Sequence, residues 1–131
     1  MTPMAMSHSI DAERQVVVCR AWGVLSNDDL HEHYRLIPAD PEFRPHYRQL
    51  GDLREVTRLV ADSSAIAAAA SLSVFAPGTR RALIAPSDVT FGLARMFASY
   101  AEDVGQLVRV FRDARDAEEW LELNDTTSAK R

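Results

Sequence analysis

At 131 residues, the chain has the size of one domain, which argues against an enzyme with separate cofactor and substrate halves. Hydrophobic residues make up 47% and charged residues 26%, a balance that indicates a folded core rather than disorder or a membrane span. Fifteen basic against nineteen acidic side chains leave a net charge of -4, which disfavours a sequence-independent hold on nucleic acid phosphates.

Residues 1–6 are expected to be a flexible lead-in to one domain spanning 7–123. Ser7 to Asp11 and the β-branched run Val16 to Trp22, joined by the polar turn Ala12-Glu13-Arg14-Gln15, read as a hairpin. Ser26, followed by Asp28 and Asp29, offers a capping hydroxyl and two carboxylates where a helix dipole is positive. That helix carries Leu30, Tyr34 and Ile37 and is expected to end before Pro38, because proline cannot continue the hydrogen-bond ladder. Tyr47 to Leu53 is the next expected strand, and Ser63 or Ser64 is expected to cap an alanine-rich helix over Ile66 to Leu72.

Pro77-Gly78 breaks the chain, and Ala82-Leu83-Ile84-Ala85 reads as a central strand buried on both faces. Ser87 is placed to cap a helix from Asp88 to about Asp103, and Gly105 precedes a strand over Leu107 to Phe111. A last helix carries Ala117, Trp120 and Leu121, and 124–131 are expected to be a frayed tail. Strand, strand and helix followed by strand–helix pairs require crossovers, so the later strands should be parallel, with helices on both faces of a mixed α/β sheet. About five strands and four helices are expected.

The five glycines are scattered, so neither a dinucleotide fingerprint nor a phosphate-cradling loop can be assembled. The four histidines are read as surface residues; His31 and His33, two apart on a helix, point to different sides and do not form a metal pair. No serine lies in a Gly-x-Ser-x-Gly turn. The single cysteine, Cys19, reads as a buried strand residue, and nothing in the sequence calls for an oxidising compartment. No cofactor, metal or catalytic set is expected. With no basic-then-apolar opening segment, the expected location is the cytoplasm.

In a parallel α/β sheet, ligands gather beyond the carboxyl ends of the strands. That rule selects Asp52, Arg54 and Thr57 after the third strand and Pro86, Ser87 and Thr90 after the fourth as a candidate ligand or partner crevice. An enzyme would need a perturbed carboxylate converging there with Asp52, Arg54 and Ser87. The helix after Ser87 is also unusual. Phe91, Ala94, Ala98 and Ala101 share one arc, and Leu93, Met96, Phe97, Tyr100 and Val104 widen it to roughly 220°. Leu93, Met96, Phe97 and Tyr100 are therefore candidates for a dimer face or an apolar-ligand face, unless a neighbouring helix covers them.

The segments Gly51 to Thr57 (Gly-Asp-Leu-Arg-Glu-Val-Thr), Arg81 to Ser87 (Arg-Ala-Leu-Ile-Ala-Pro-Ser), Phe91 to Phe97 and Val110 to Leu121, in this order after a hairpin, resemble the bacterial SpoIIAA-like family, grouped with STAS and SEC14-type domains. The resemblance covers nearly the whole chain and implies a mixed sheet with α/β crossovers. Classical STAS antagonists carry a phosphorylated serine in an Asp-Ser-Ser-Gly-like turn. Asp62-Ser63-Ser64-Ala65 is similar, with Ala65 in place of glycine, so Ser64, and after it Ser63, are the carried-over candidates for phosphorylation. The chain is expected to be a non-enzymatic interaction module with a regulatory protein partner and, from the apolar excess of the helix after Ser87, a homodimer; the alternative, which the SEC14 side of the resemblance implies, is a carrier of a small apolar or lipid-like ligand.

Overall fold

The structure, a computed structural model, describes residues 5–72 and 74–123; the expected tail, 124–131, lies outside them. Nine elements follow in chain order: β1 (Met6–Asp11), β2 (Val16–Leu25), α1 (Asn27–Ala39), β3 (Arg48–Leu59), α2 (Ser63–Ala70), β4 (Arg80–Ile84), α3 (Asp88–Glu102), β5 (Leu107–Phe111) and α4 (Ala114–Trp120). The five strands form one sheet in the order β1-β2-β3-β4-β5. β1 and β2 make the antiparallel hairpin, with Met6 opposite Ala21 and Asp11 opposite Val16. The other neighbours are parallel.

Each parallel crossover steps in the same direction along the sheet, and right-handed connections made that way fall on one face. α1, α2 and α3 accordingly share a core with the inward side chains of β2 to β4, built around Val17, Ile37, Ile66, Phe75, Leu83 and Phe97. Helices on both faces are achieved only by α4, whose Ala117, with the following Leu121, packs on Val16, Ala82 and Ile84 on the opposite side. Ala5 and Met6, expected in a flexible lead-in, are buried, and the Ala5 carbonyl accepts from the Trp22 amide.

Three expected boundaries move, each for a local reason. α1 runs through Pro38 to Ala39: in the last turn, the missing N–H removes a single bond, and the helix ends one residue later. β3 continues six residues past Leu53 because β2 is long enough to pair with it as far as Leu25 opposite Leu59. Between Arg20 and Trp22 the partner strand advances from Asp52 to Glu55, and between Gly23 and Val24 from Val56 to Arg58, so β3 carries two extra residues. Gly23, at φ +64°, supplies the backbone freedom at the second irregularity. The bulges break strict alternation, and Asp52, Arg54 and Thr57 lie within the strand rather than in a loop after it.

The third change is at α2, where the N-cap is Asp62, not Ser63 or Ser64. Its carboxylate accepts from the Ala65 amide at 2.8 Å, and Asn27 on the neighbouring helix holds the Asp62 backbone and side chain. α3 starts as expected, with Ser87 Oγ accepting from the Thr90 amide.

The histidine assignment also changes at one position. His33 lies on the buried stripe of α1 with Leu30, Tyr34 and Ile37 and is 1% exposed. Its Nε2 has no hydrogen-bond partner among the described residues. Burial, then the neighbouring His8 and Arg81, pushes its pKa down to about 4.

Two measurements check this account of the fold. Asp62→Ala should lower the thermal midpoint while Ser64→Ala leaves it unchanged, and Ser87→Ala should cost about 1 kcal/mol; equal effects at Asp62 and Ser64 would contradict the cap assignment. The second concerns pH. Because His33 takes up its proton more readily unfolded than folded, its contribution to stability is complete above about pH 6.5 and falls as the pH drops toward 4. From about pH 7.5 to about pH 4.5, the wild type should lose on the order of 2 kcal/mol more than His33→Leu in denaturant titrations. Equal losses in both proteins would show that His33 does not carry this dependence.

Candidate functional site

Between the sheet and its three-helix layer lies a cavity of about 70 Å³. β2 contributes Cys19, Ala21 and Leu25, and β3 contributes Gln49, Gly51, Leu53, Val56 and Leu59. The bulges keep the last three of these facing inward. The helices close it with Leu30, His33 and Tyr34 from α1, Ile66 from α2, and Thr90, Leu93, Ala94 and Phe97 from α3. Gly51 is small for a reason: a Cβ there would meet Leu83 Cδ2 at 2.6 Å, so a side chain could fit only by displacing Leu83.

The structure distributes the candidate residues unevenly. Asp52 and Thr90 from the crevice set, and Leu93 and Phe97 from the apolar face of α3, line the same cavity. Asp52 is also the last β3 residue paired with β4, opposite Ile84. Arg54 stands beside it and grips its carboxylate with two bonds, Nε to Oδ1 at 2.9 Å and Nη2 to Oδ2 at 2.7 Å. That pairing holds the Asp52 carboxyl below the usual carboxylate range, the opposite of a carboxylate tuned to take up protons near neutrality. Thr57 is exposed, and Pro86 and Ser87 lie outside the cavity. Met96 and Tyr100 are half-buried against the core but do not line the cavity. Ser63 and Ser64 are exposed on the first turn of α2, next to the capping carboxylate of Asp62.

What the sequence reading missed is a polar cluster deep in the layer, centred on Arg81 of β4. Arg81 is 2% exposed. Its Nε donates to Gln49 Oε1 and its Nη1 to Gln106 Oε1, each at 2.8 Å, and Nη2 donates to Tyr34 Oη at 3.4 Å. The Gln106 amide nitrogen is committed to the Phe75 carbonyl at 2.9 Å, which orients its oxygen toward the guanidinium. Gln49 in turn donates to Cys19 Sγ and Tyr34 Oη. The guanidinium also lies 4.6 Å from the Phe75 ring centre and 5.6 Å from that of Phe97. Burial pushes the Cys19 thiol up to about 11 and raises the Tyr34 phenol, so both stay neutral at physiological pH.

A charged residue opening the apolar run Arg-Ala-Leu-Ile-Ala was the available signal. In a strand buried on both faces, such a side chain must find partners inside. Likewise, Gln49 is in step with Gly51, and His33 is in step with Leu30 and Ile37. Among the described residues, no three metal-ligating side chains converge, and no helix is long and apolar enough to cross a membrane.

No family model matches the chain, and no curated protein does. Solved structures that it resembles include the crystal structure of an uncharacterized protein of the DUF3478 family with a SpoIIAA-like fold from Shewanella loihica PV-4, with a TM-score of 0.59 and 19% sequence identity. The match covers 92% of this chain and 97% of that one. At this identity, the likeness speaks to architecture alone: five strands in a mixed sheet and four helices, a SpoIIAA-like fold.

Proposed function

We propose that the protein binds a small, largely apolar ligand in the cavity between the sheet and α1–α3. The observation that carries this reading is the lining itself: apolar side chains from two strands and three helices face a space of about 70 Å³ that they do not fill. Close packing is the rule in protein interiors, and a void of this kind costs the fold dispersion contacts that a ligand would restore. At ~10–15 Å³ per water-sized centre, the space takes on the order of five to seven heavy atoms.

The homodimer reading, a second copy packed on α3, rested on the wide apolar arc of that helix. Much of the arc has an occupant within the chain. Leu93 and Phe97 face the cavity, while Phe91, Met96 and Tyr100 pack partly buried against the core. The large apolar side chains left exposed at α3 are Val89 and, just beyond its end, Val104, some four turns apart. They do not make a continuous patch, so the arc argues for a ligand more than for a second chain.

Ala94, at the α3 wall, provides a test that leaves the polar cluster intact. Titrated with pentan-1-ol and followed by methyl NMR, the wild type should show saturable shifts at Leu25, Ile66 and Leu93. Ala94→Leu should weaken the affinity at least tenfold while changing stability by no more than about 3 kcal/mol. Non-saturable shifts in the wild type, or an unweakened Ala94→Leu, would overturn the proposal.

A further inference from the structure

An arginine is a permanent cation, and buried charges in proteins are normally met by an opposite charge or a metal. Arg81 is an exception. The ion pairs among the described residues join Arg14 to Asp11, Arg20 to Glu55, Arg35 to Glu32, Arg54 to Asp52, Arg80 to Glu122, Arg112 to Asp88, Arg115 to Glu119 and His8 to Asp40. None reaches Arg81, whose hydrogen-bond partners are two amides and a phenol. The aromatic faces of Phe75, Phe97 and Tyr34 offset part of the charge. The remainder projects a positive field toward the cavity.

Tyr34 and His33 line the cavity, and Tyr34 Oη is bonded to Arg81. Tyr34 Oη already accepts from Arg81 and Gln49. Its own proton therefore remains to be donated, and no acceptor for it occurs among the described residues. The next residue back, His33, is 1% exposed and lines the same cavity, and its Nε2 has no partner. Two adjacent positions of α1 thus present unused hydrogen-bonding capacity beside an unbalanced cation. Away from them Leu53, Val56, Ile66 and Leu93 form an apolar stretch of the lining, which also includes Arg20, Asp52 and Thr90.

We infer that the ligand is a short amphipathic carboxylate, its head accepting hydrogen bonds from Tyr34 Oη–H and His33 Nε2–H in front of Arg81, and its tail lying along Leu53, Val56, Ile66 and Leu93. This inference rests on the cavity reading above and adds the charge and direction of the occupant. A carboxylate has the acceptors that both groups lack, and its charge balances the guanidinium across Tyr34 and Gln49. Asp52, which also lines the cavity, is already paired with Arg54, so it does not oppose the ligand's charge as a free carboxylate.

Pentanoate and pentan-1-ol share a tail and differ in the head. In methyl-NMR titrations of the wild type at about pH 7.5, pentanoate should bind at least tenfold more tightly, and Tyr34→Phe should reduce that preference to threefold or less. If the alcohol binds in the cavity as tightly as pentanoate or more so, the carboxylate inference fails while the cavity reading stands. If neither binds, both fail. A tenfold preference that persists in Tyr34→Phe would overturn the assigned seat of the head, and His33→Leu provides the same comparison from the second donor.

Discussion

A guanidinium removed from water must recover its hydrogen bonds from the protein, and the way Arg81 does so ties the helix layer to the sheet. Its three nitrogens reach β3 through Gln49, α1 through Tyr34 and the start of β5 through Gln106. Gln106 extends the chain of bonds to the carbonyl of Phe75, in the connection between α2 and β4. Four separate stretches of sequence are thereby held at one point. Deleting a member of such a network leaves the others buried and unpaired, which costs more than the lost bond itself. Two members of the same network, Tyr34 and Gln49, also line the cavity, so the bonds that hold the layers together fix part of its wall.

The topology explains why the interior opens where it does. Strand order follows chain order without a reversal, so the sheet has no point at which two crossovers diverge to leave the crevice used by doubly wound folds. Unfilled space arises instead beneath the helices, where the bulged ends of β2 and β3 extend beyond the short β4. Ala21 and Ala94, with Gly51, supply little bulk at the centre of that region. Larger side chains surround them, and the gap persists because each neighbour is fixed by its own contacts. Gly51 is held to hydrogen by Leu83, and Phe97 stacks on Tyr34 with ring centres 5.9 Å apart.

Much of the fold was legible in the sequence because local signals and tertiary demands agreed. The hairpin, the Ser87 cap, the length of α3 and the buried run after Arg81 follow from periodicity and capping chemistry. Failures occurred where a local rule met a competing one. β3 was cut short because two bulges space its inward residues by three at Leu53, Val56 and Leu59, a pattern belonging to neither a strand nor a helix. The α2 cap was misplaced because three adjacent residues, Asp62, Ser63 and Ser64, are all competent caps, and the choice depended on Asn27, 35 residues earlier. Of the candidate site, the apolar wall of α3 was readable as an excess in search of an occupant. The polar end was not, since His33, Gln49 and Arg81 come from three elements that only the folded topology brings together.

If the space beneath the helices is a binding site, as proposed, it stays open rather than being filled by side-chain motion. A crystal structure determined under xenon pressure tests it most directly, because xenon enters apolar cavities without requiring a particular head group. Xenon density bounded by Leu25, Ile66, Leu93 and Phe97 is expected, with the Arg81 cluster unchanged. An interior closed by rotated side chains, with no xenon beneath α3, would contradict it.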